Sequence, residues 1–140
     1  MKRSFLSKLF FAFFVLLGSL GVGMASMPGG QGHIRDLKEK DVLNAATEGV
    51  KLLNAASNDM YSMSFVKVKS GTKQVVAGVI YRLEIECGVS RCRNDGSADV
   101  DVGSCPLVDE SSTRTYQISV LWQNWMTPKY KLLDFKRTDN

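Results

Sequence analysis

The apolar positions of this chain change period after residue 56. Up to that point Val42, Ala46, Val50 and Leu53 recur every three or four residues, and Leu43 and Ala45 widen the stripe. The spacing predicts one amphipathic helix over residues 36–56, with Lys40, Asn44, Lys51 and Asn54 on a solvated opposite face. Asp36 and Glu39 stand three apart, the spacing of a capping pair. Ser57-Asn58-Asp59 ends the helix with three residue types that favour caps and turns. Beyond it the period becomes two. Val66 and Val68 alternate with Lys67 and Lys69, the mark of a half-buried strand. After turn residues at Ser70-Gly71-Thr72, the positions Val75, Ala77, Val79, Tyr81, Leu83, Ile85 and Cys87 share one parity, while Arg82, Glu84 and Glu86 share the other. One face of that strand meets the helix and the other meets water. Residues 74–78 fall at a hairpin tip. Residues 88–113 read as a long polar connection, with turn residues at Asn94-Asp95-Gly96. Tyr116, Ile118, Val120 and Trp122 predict a strand over residues 115–122 with Trp122 on its core face, and residues 132–135 predict a last one.

The first 25 residues are of another kind. Lys2, Arg3 and Lys8 make a basic start, Leu9 to Leu17 is almost wholly apolar, and Gly23-Met24-Ala25 supplies small residues for a signal peptidase. Residues 1–25 are therefore expected to be a secretory signal peptide cleaved after Ala25, since the apolar run falls short of the about 20 residues a membrane span needs. The segment also removes most of the apparent basicity. Three of the 18 Lys and Arg leave with it and all 14 Asp and Glu stay, so the remainder carries about +1 and gives no reason to expect a nucleic-acid or membrane partner. Residues 26–140 are enough for one domain, and residues 26–33, rich in Gly, are expected to be extended or mobile when free. Catalysis has no support: the single His, His33, lies in that leader, and no metal-ligand spacing, phosphate loop or carboxylate dyad rises above chance. No cofactor is expected.

The tip Gln74-Val75-Val76-Ala77-Gly78 carries the chemistry that remains. Its QxVxG pattern resembles the first binding loop of cystatins, the protein inhibitors of papain-like cysteine proteases. A tip of small and β-branched residues without charge is narrow and easily desolvated, as entry into a protease cleft requires. A Gly pair at Gly29 and Gly30, a Trp-bearing hairpin at Asn124-Trp125 and the Ser57-Asn58-Asp59 stretch fall where the secreted, type 2 branch has them. The resemblance runs from about Gly29 to Trp125 and implies an α+β fold: a cystatin-like antiparallel sheet of four to five strands wrapped around one long α-helix. It implies a domain over residues 26–140 that occludes the cleft with three pieces: an N-terminal trunk at Pro28, Gly29 and Gly30, the loop of Gln74, Val75, Val76, Ala77 and Gly78, and the hairpin of Asn124 and Trp125. Gly29 matches the trunk glycine, and Gly30 would shift the register by one. The family signature before the Trp is Pro. Asn124 replaces it, which removes a preset φ and raises the free loop's entropy.

The resemblance also implies a disulfide between Cys92 and Cys105, closing a loop worth about 3 kcal/mol on the chain-entropy description. The family's second disulfide is missing: Tyr116 stands where its first half would be and no Cys follows, as in some invertebrate and helminth members. Cys87, on the core face by parity, reads as a small buried hydrophobe. In type 2 members that also block legumain, an Asn after the helix is presented to that enzyme; Asn58, within Ser57-Asn58-Asp59, matches it and equally matches a plain helix stop. The partners implied are papain-family proteases of the cathepsin type and legumain, for a secreted monomer able to form a domain-swapped dimer through the first loop. The alternative is a cystatin-like secreted scaffold that binds other partners, its protease edge weakened at Pro28 and Asn124.

Overall fold

The computed structural model describes residues 29–97 and 104–138. The signal peptide expected over residues 1–25 and the trunk residue Pro28 lie outside them. Strand β1 (Gln31–His33) comes first, then helix α1 (Lys40–Ala56), and then β2 (Tyr61–Val76), β3 (Gly78–Arg93), β4 (Thr113–Trp122) and β5 (Tyr130–Arg137). All strand pairs are antiparallel and the sheet order is β1-β2-β3-β4-β5. The helix lies on one face of the sheet, and that contact is the core. Val42, Ala45, Ala46, Val50 and Leu53 of α1 meet Met63, Val68, Tyr81, Leu83, Ile85, Cys87, Tyr116, Ile118 and Val120, all buried. The two periods of the sequence therefore meet as expected: a helical stripe against alternate strand positions.

Several sequence expectations need correction. The helix begins at Lys40, four residues later than its apolar stripe suggested. Asp36 does not cap it. Its Oδ1 accepts the Lys38 N–H at 2.9 Å, closing a local turn that competes with helix. Glu39 holds the N-cap position without a side-chain cap, and its carboxylate lies 3.9 Å from Lys73 Nζ instead. Asn54 is not solvated but buried, with both ends of its amide used. Its Nδ2 donates to the Met63 carbonyl at 3.0 Å, and its Oδ1 accepts from the Met63 N–H at 2.8 Å. The side chain thus behaves like one more residue of a ladder, tying the helix end to the start of β2.

The strands run further than their apolar alternation. In β2 the register slips between Phe65 and Lys67 and again between Val68 and Ser70. The slip between Phe65 and Lys67 leaves Val66 exposed while Val68 stays in the core. Residues 88–93, read as connection, continue β3. Their polarity is internally satisfied, since the buried Ser62 and Ser90 hydroxyls bond each other at 2.8 Å. Gly88 and Val89 also pair with Ser64 and Met63, and Ser90 bridges to Leu107. Residues 31–33, expected to be extended or mobile when free, are extended and form β1 against residues 72–74 of β2. Trp122 is half-buried, packed against the core rather than inside it.

Cys92 and Cys105 form a disulfide with their Cα atoms 5.9 Å apart. Cys87 is free and fully buried. Burial, with Glu86 adding a smaller repulsion, pushes its thiol up to about 12, so no thiolate forms at neutral pH. An aryl-disulfide thiol reagent is expected to titrate no thiol in the folded protein over minutes and one per chain after denaturation without reductant. Rapid reaction of the folded chain would contradict this burial.

Candidate functional site

The β2–β3 hairpin is paired to its end. Val75 faces Val79 and Val76 faces Gly78, which leaves Ala77 alone at the apex. Such a turn needs a backbone that an L side chain resists, and Gly78 supplies it at φ +112°. There is no room for a side chain either: a Cβ on Gly78 would run into the Trp122 carbonyl oxygen and come within 2.8 Å of Gln123 Cγ. Val75 is 61% exposed and Val76 40%, so the tip presents two branched apolar groups to solvent. Gln74 turns to a different task. Its Oε1 accepts from Arg82 Nη1 at 3.0 Å, bracing the root of the loop across the two strands.

The chain start lies beside this tip. Gln31 pairs with Gln74, and Gly29, at φ +111°, passes so close that a Cβ on it would sit 3.0 Å from the Val75 carbonyl oxygen. Gly30 follows, exposed. On the other side, Val79 pairs with Trp122, which sets the root of the β4–β5 hairpin next to the root of the first. The Gln123 N–H donates to the Lys129 carbonyl at 2.8 Å and the Met126 N–H donates to the Gln123 carbonyl at 3.2 Å, folding residues 123–129 into a compact turn. Asn124 is exposed, and Trp125, at 65%, holds its indole in solvent. One side chain crosses between the hairpins: Gln123 Nε2 donates to the Ala77 carbonyl at 2.8 Å. Gly29 and Gly30, residues 74–78 and residues 124–125 thus line one end of the sheet. Burial raises the phenol of Tyr130, at the base of the second hairpin, above its ordinary value, so that residue stays neutral through the physiological range.

Ser57, Asn58 and Asp59 lie at the other end, just before β2, whose 16 residues run from there to the tip of the first hairpin. The Asp59 N–H donates to Ser57 Oγ at 3.0 Å, and Asn58 is exposed. Asn94 holds the segment from behind. Its N–H donates to the Met60 carbonyl at 2.9 Å and its Nδ2 to the Asn54 carbonyl at 2.9 Å. Among the described residues no cluster of His, Cys, Asp and Glu is arranged to hold a metal ion.

The cystatin domain pattern matches residues 29–122, more than half of the chain. The chain belongs to the cystatin family. Cystatins inhibit cysteine proteases and are not enzymes. Onchocystatin of Onchocerca volvulus is 27% identical over 95 residues, covering 66% of this chain and 59% of that protein. Human cystatin-C is 34% identical over 97 residues, covering 65% of this chain and 64% of its own length. The chain thus spans less than two thirds of either relative. The salivary cystatin of the soft tick Ornithodoros moubata has the same fold, with a TM-score of 0.67 over 81% of this chain and all of that one, at 23% identity. The α+β architecture expected from the resemblance is that of solved cystatins, and the relatives include a helminth protein as expected.

Three side chains that shape this cystatin's candidate site went unmarked in its sequence. Gln123 was not singled out beside Asn124-Trp125, Arg82 read as a solvated face residue, and Asn94 as a turn former. Each acts through a bond to a partner 8, 40 or 46 positions away. No local pattern marks such a bond.

Proposed function

We propose that the chain is a secreted, reversible, tight-binding inhibitor of papain-like cysteine proteases of the cathepsin type. Its trunk at Pro28, Gly29 and Gly30, the loop from Gln74 to Gly78 and the Asn124-Trp125 hairpin form a wedge that covers the protease's catalytic groups without offering a scissile bond. The main support is that Val75, Val76 and Trp125 are all exposed on two hairpins tied by a hydrogen bond, although apolar groups of this size are ordinarily buried. The wedge needs no titrating group, so inhibition follows the protease's own pH range. The protein acts as a monomer. A domain-swapped dimer opening at the first loop would lose the Val76–Gly78 pairing and with it the papain site.

A second site, for legumain, is proposed at Asn58. Its support is the exposure of Asn58 on a short segment braced by Ser57, Asn54 and Asn94, in the manner of a presented substrate residue. Because it lies at the other end of β2, the two proteases bind independently.

Two substitutions separate the sites. Trp125→Ala is expected to weaken papain inhibition about 30-fold, the cost of about 2 kcal/mol typical of a central aromatic anchor, and to leave legumain inhibition unchanged. Asn58→Ala is expected to abolish legumain inhibition and leave papain inhibition within about two-fold, additivity being the rule for sites this far apart. Loss of papain inhibition in Asn58→Ala, or full papain affinity in Trp125→Ala, would contradict the assignment.

A further inference from the structure

The second hairpin has fewer bonds of its own near its tip than the first. The β4–β5 ladder stops at the Trp122–Tyr130 pair, and from there residues 123–129 keep only two backbone bonds. Asn124 presets no φ, so the chain entering Trp125 is free where a proline would restrict it. The first loop is different, since its ladder runs to Val76–Gly78 and its apex is a single residue. Between the two stands Gln123. Its own N–H and carbonyl are both engaged within its hairpin, so its backbone is fixed. Its Cγ fills the space over Gly78, where a Cβ would stand 2.8 Å away, and its Nε2 donates to the apex carbonyl of Ala77 at 2.8 Å.

We infer that Gln123 is a positioning residue for protease binding: a strut that fixes the Trp125 hairpin on the first loop and replaces the conformational restriction that Asn124 lacks. The inference rests on the inhibitor reading above. The loop paired to its apex serves as the anchor and the loop with fewer bonds of its own as the load. A chain with two separately mobile loops would have to order the second on binding, which costs affinity without changing any contact. With the strut, Trp125 is held in place before the protease arrives. Gln is suited to this because its amide donates without carrying charge into the contact region, and its stem is long enough to reach the neighbouring apex. The partner atom is a backbone carbonyl, so the arrangement does not depend on the identity of residue 77.

The test uses the chain over residues 26–140 with Gln123→Met and Gln123→Glu, both close in size to Gln and both without a donor at neutral pH. In the free protein, the Met126 amide is expected to exchange with deuterium about five-fold faster in either variant, the size of one neutral hydrogen bond, with Tm within about 2 °C of wild type. Papain dissociation is expected to accelerate about five-fold in Gln123→Met. In a Trp125→Ala background the same change is expected to have less than about a two-fold effect, because the strut acts through the indole it positions. An unchanged exchange rate would overturn the strut, and equal effects with and without Trp125 would overturn its positioning role. If wild type does not inhibit papain, the inhibitor reading and the positioning role fail together, while the exchange rates separately decide whether the strut orders the hairpin.

Discussion

Val76→Asp is expected to weaken papain inhibition about a thousand-fold while leaving the fold intact, because the substituted group would be buried in an apolar cleft as an unpaired charge. The free protein should tolerate it. Val76 is 40% exposed at a hairpin tip, makes no part of the core cluster and pairs with Gly78 through its backbone, which the substitution leaves in place. Tm should therefore stay within about 2 °C, the range of ordinary surface changes. The comparison of inhibition constant with Tm is the check. An unchanged inhibition constant for a folded Val76→Asp chain would remove the first loop from the contact surface and with it the wedge.

Gly78→Val is expected to damage both binding and stability. Two independent physical reasons coincide here. The φ of +112° lies where a β-branched residue is strained by about 1–3 kcal/mol, and the new Cβ would collide with the Trp122 carbonyl oxygen, a backbone atom that cannot swing aside. Relief requires the roots of the two hairpins to separate, which would also break the Gln123–Ala77 hydrogen bond. The expected outcome is a stability loss of about 2–4 kcal/mol and papain inhibition weaker by about a hundred-fold or more. Urea unfolding and an inhibition assay on the same preparation check both. A Gly78→Val chain of wild-type stability would mean that the two hairpins do not stand as close as described.

What could be read from the sequence, and what could not, follows from the range over which each feature is determined. The core face of β3 and β4 was legible because alternation is a local property: Tyr81, Leu83, Ile85, Cys87, Ile118 and Val120 are all buried as their parity requires. The tip of the first hairpin was legible for the same reason, as residues 74–78 carry their own pattern. Features fixed by distant partners were not. The polar run Ser90 to Arg93 is strand because Ser62 and the segment around Leu107 satisfy it, and Asn54 is buried because the Met63 backbone lies opposite. The short β1 exists because β2 extends far enough to offer it an edge. At the helix start, Asp36 had two local options, a cap or a tight turn, and composition alone does not choose between them. In the candidate site the exposed apolar residues were recognised through their resemblance to a known family. The braces behind them, Arg82, Asn94 and Gln123, become visible only when the strands are aligned.

The central claim is that the exposed end of this sheet occludes a papain-type active site. The most direct measurement is a tight-binding titration of active-site-counted papain with the oxidised monomer of residues 26–140. The account predicts a linear loss of activity reaching zero at one inhibitor per enzyme, with full activity regained slowly on dilution into excess substrate. A folded monomer that leaves papain fully active at micromolar excess would contradict it, and so would inhibition that ends with the inhibitor cleaved within residues 74–78.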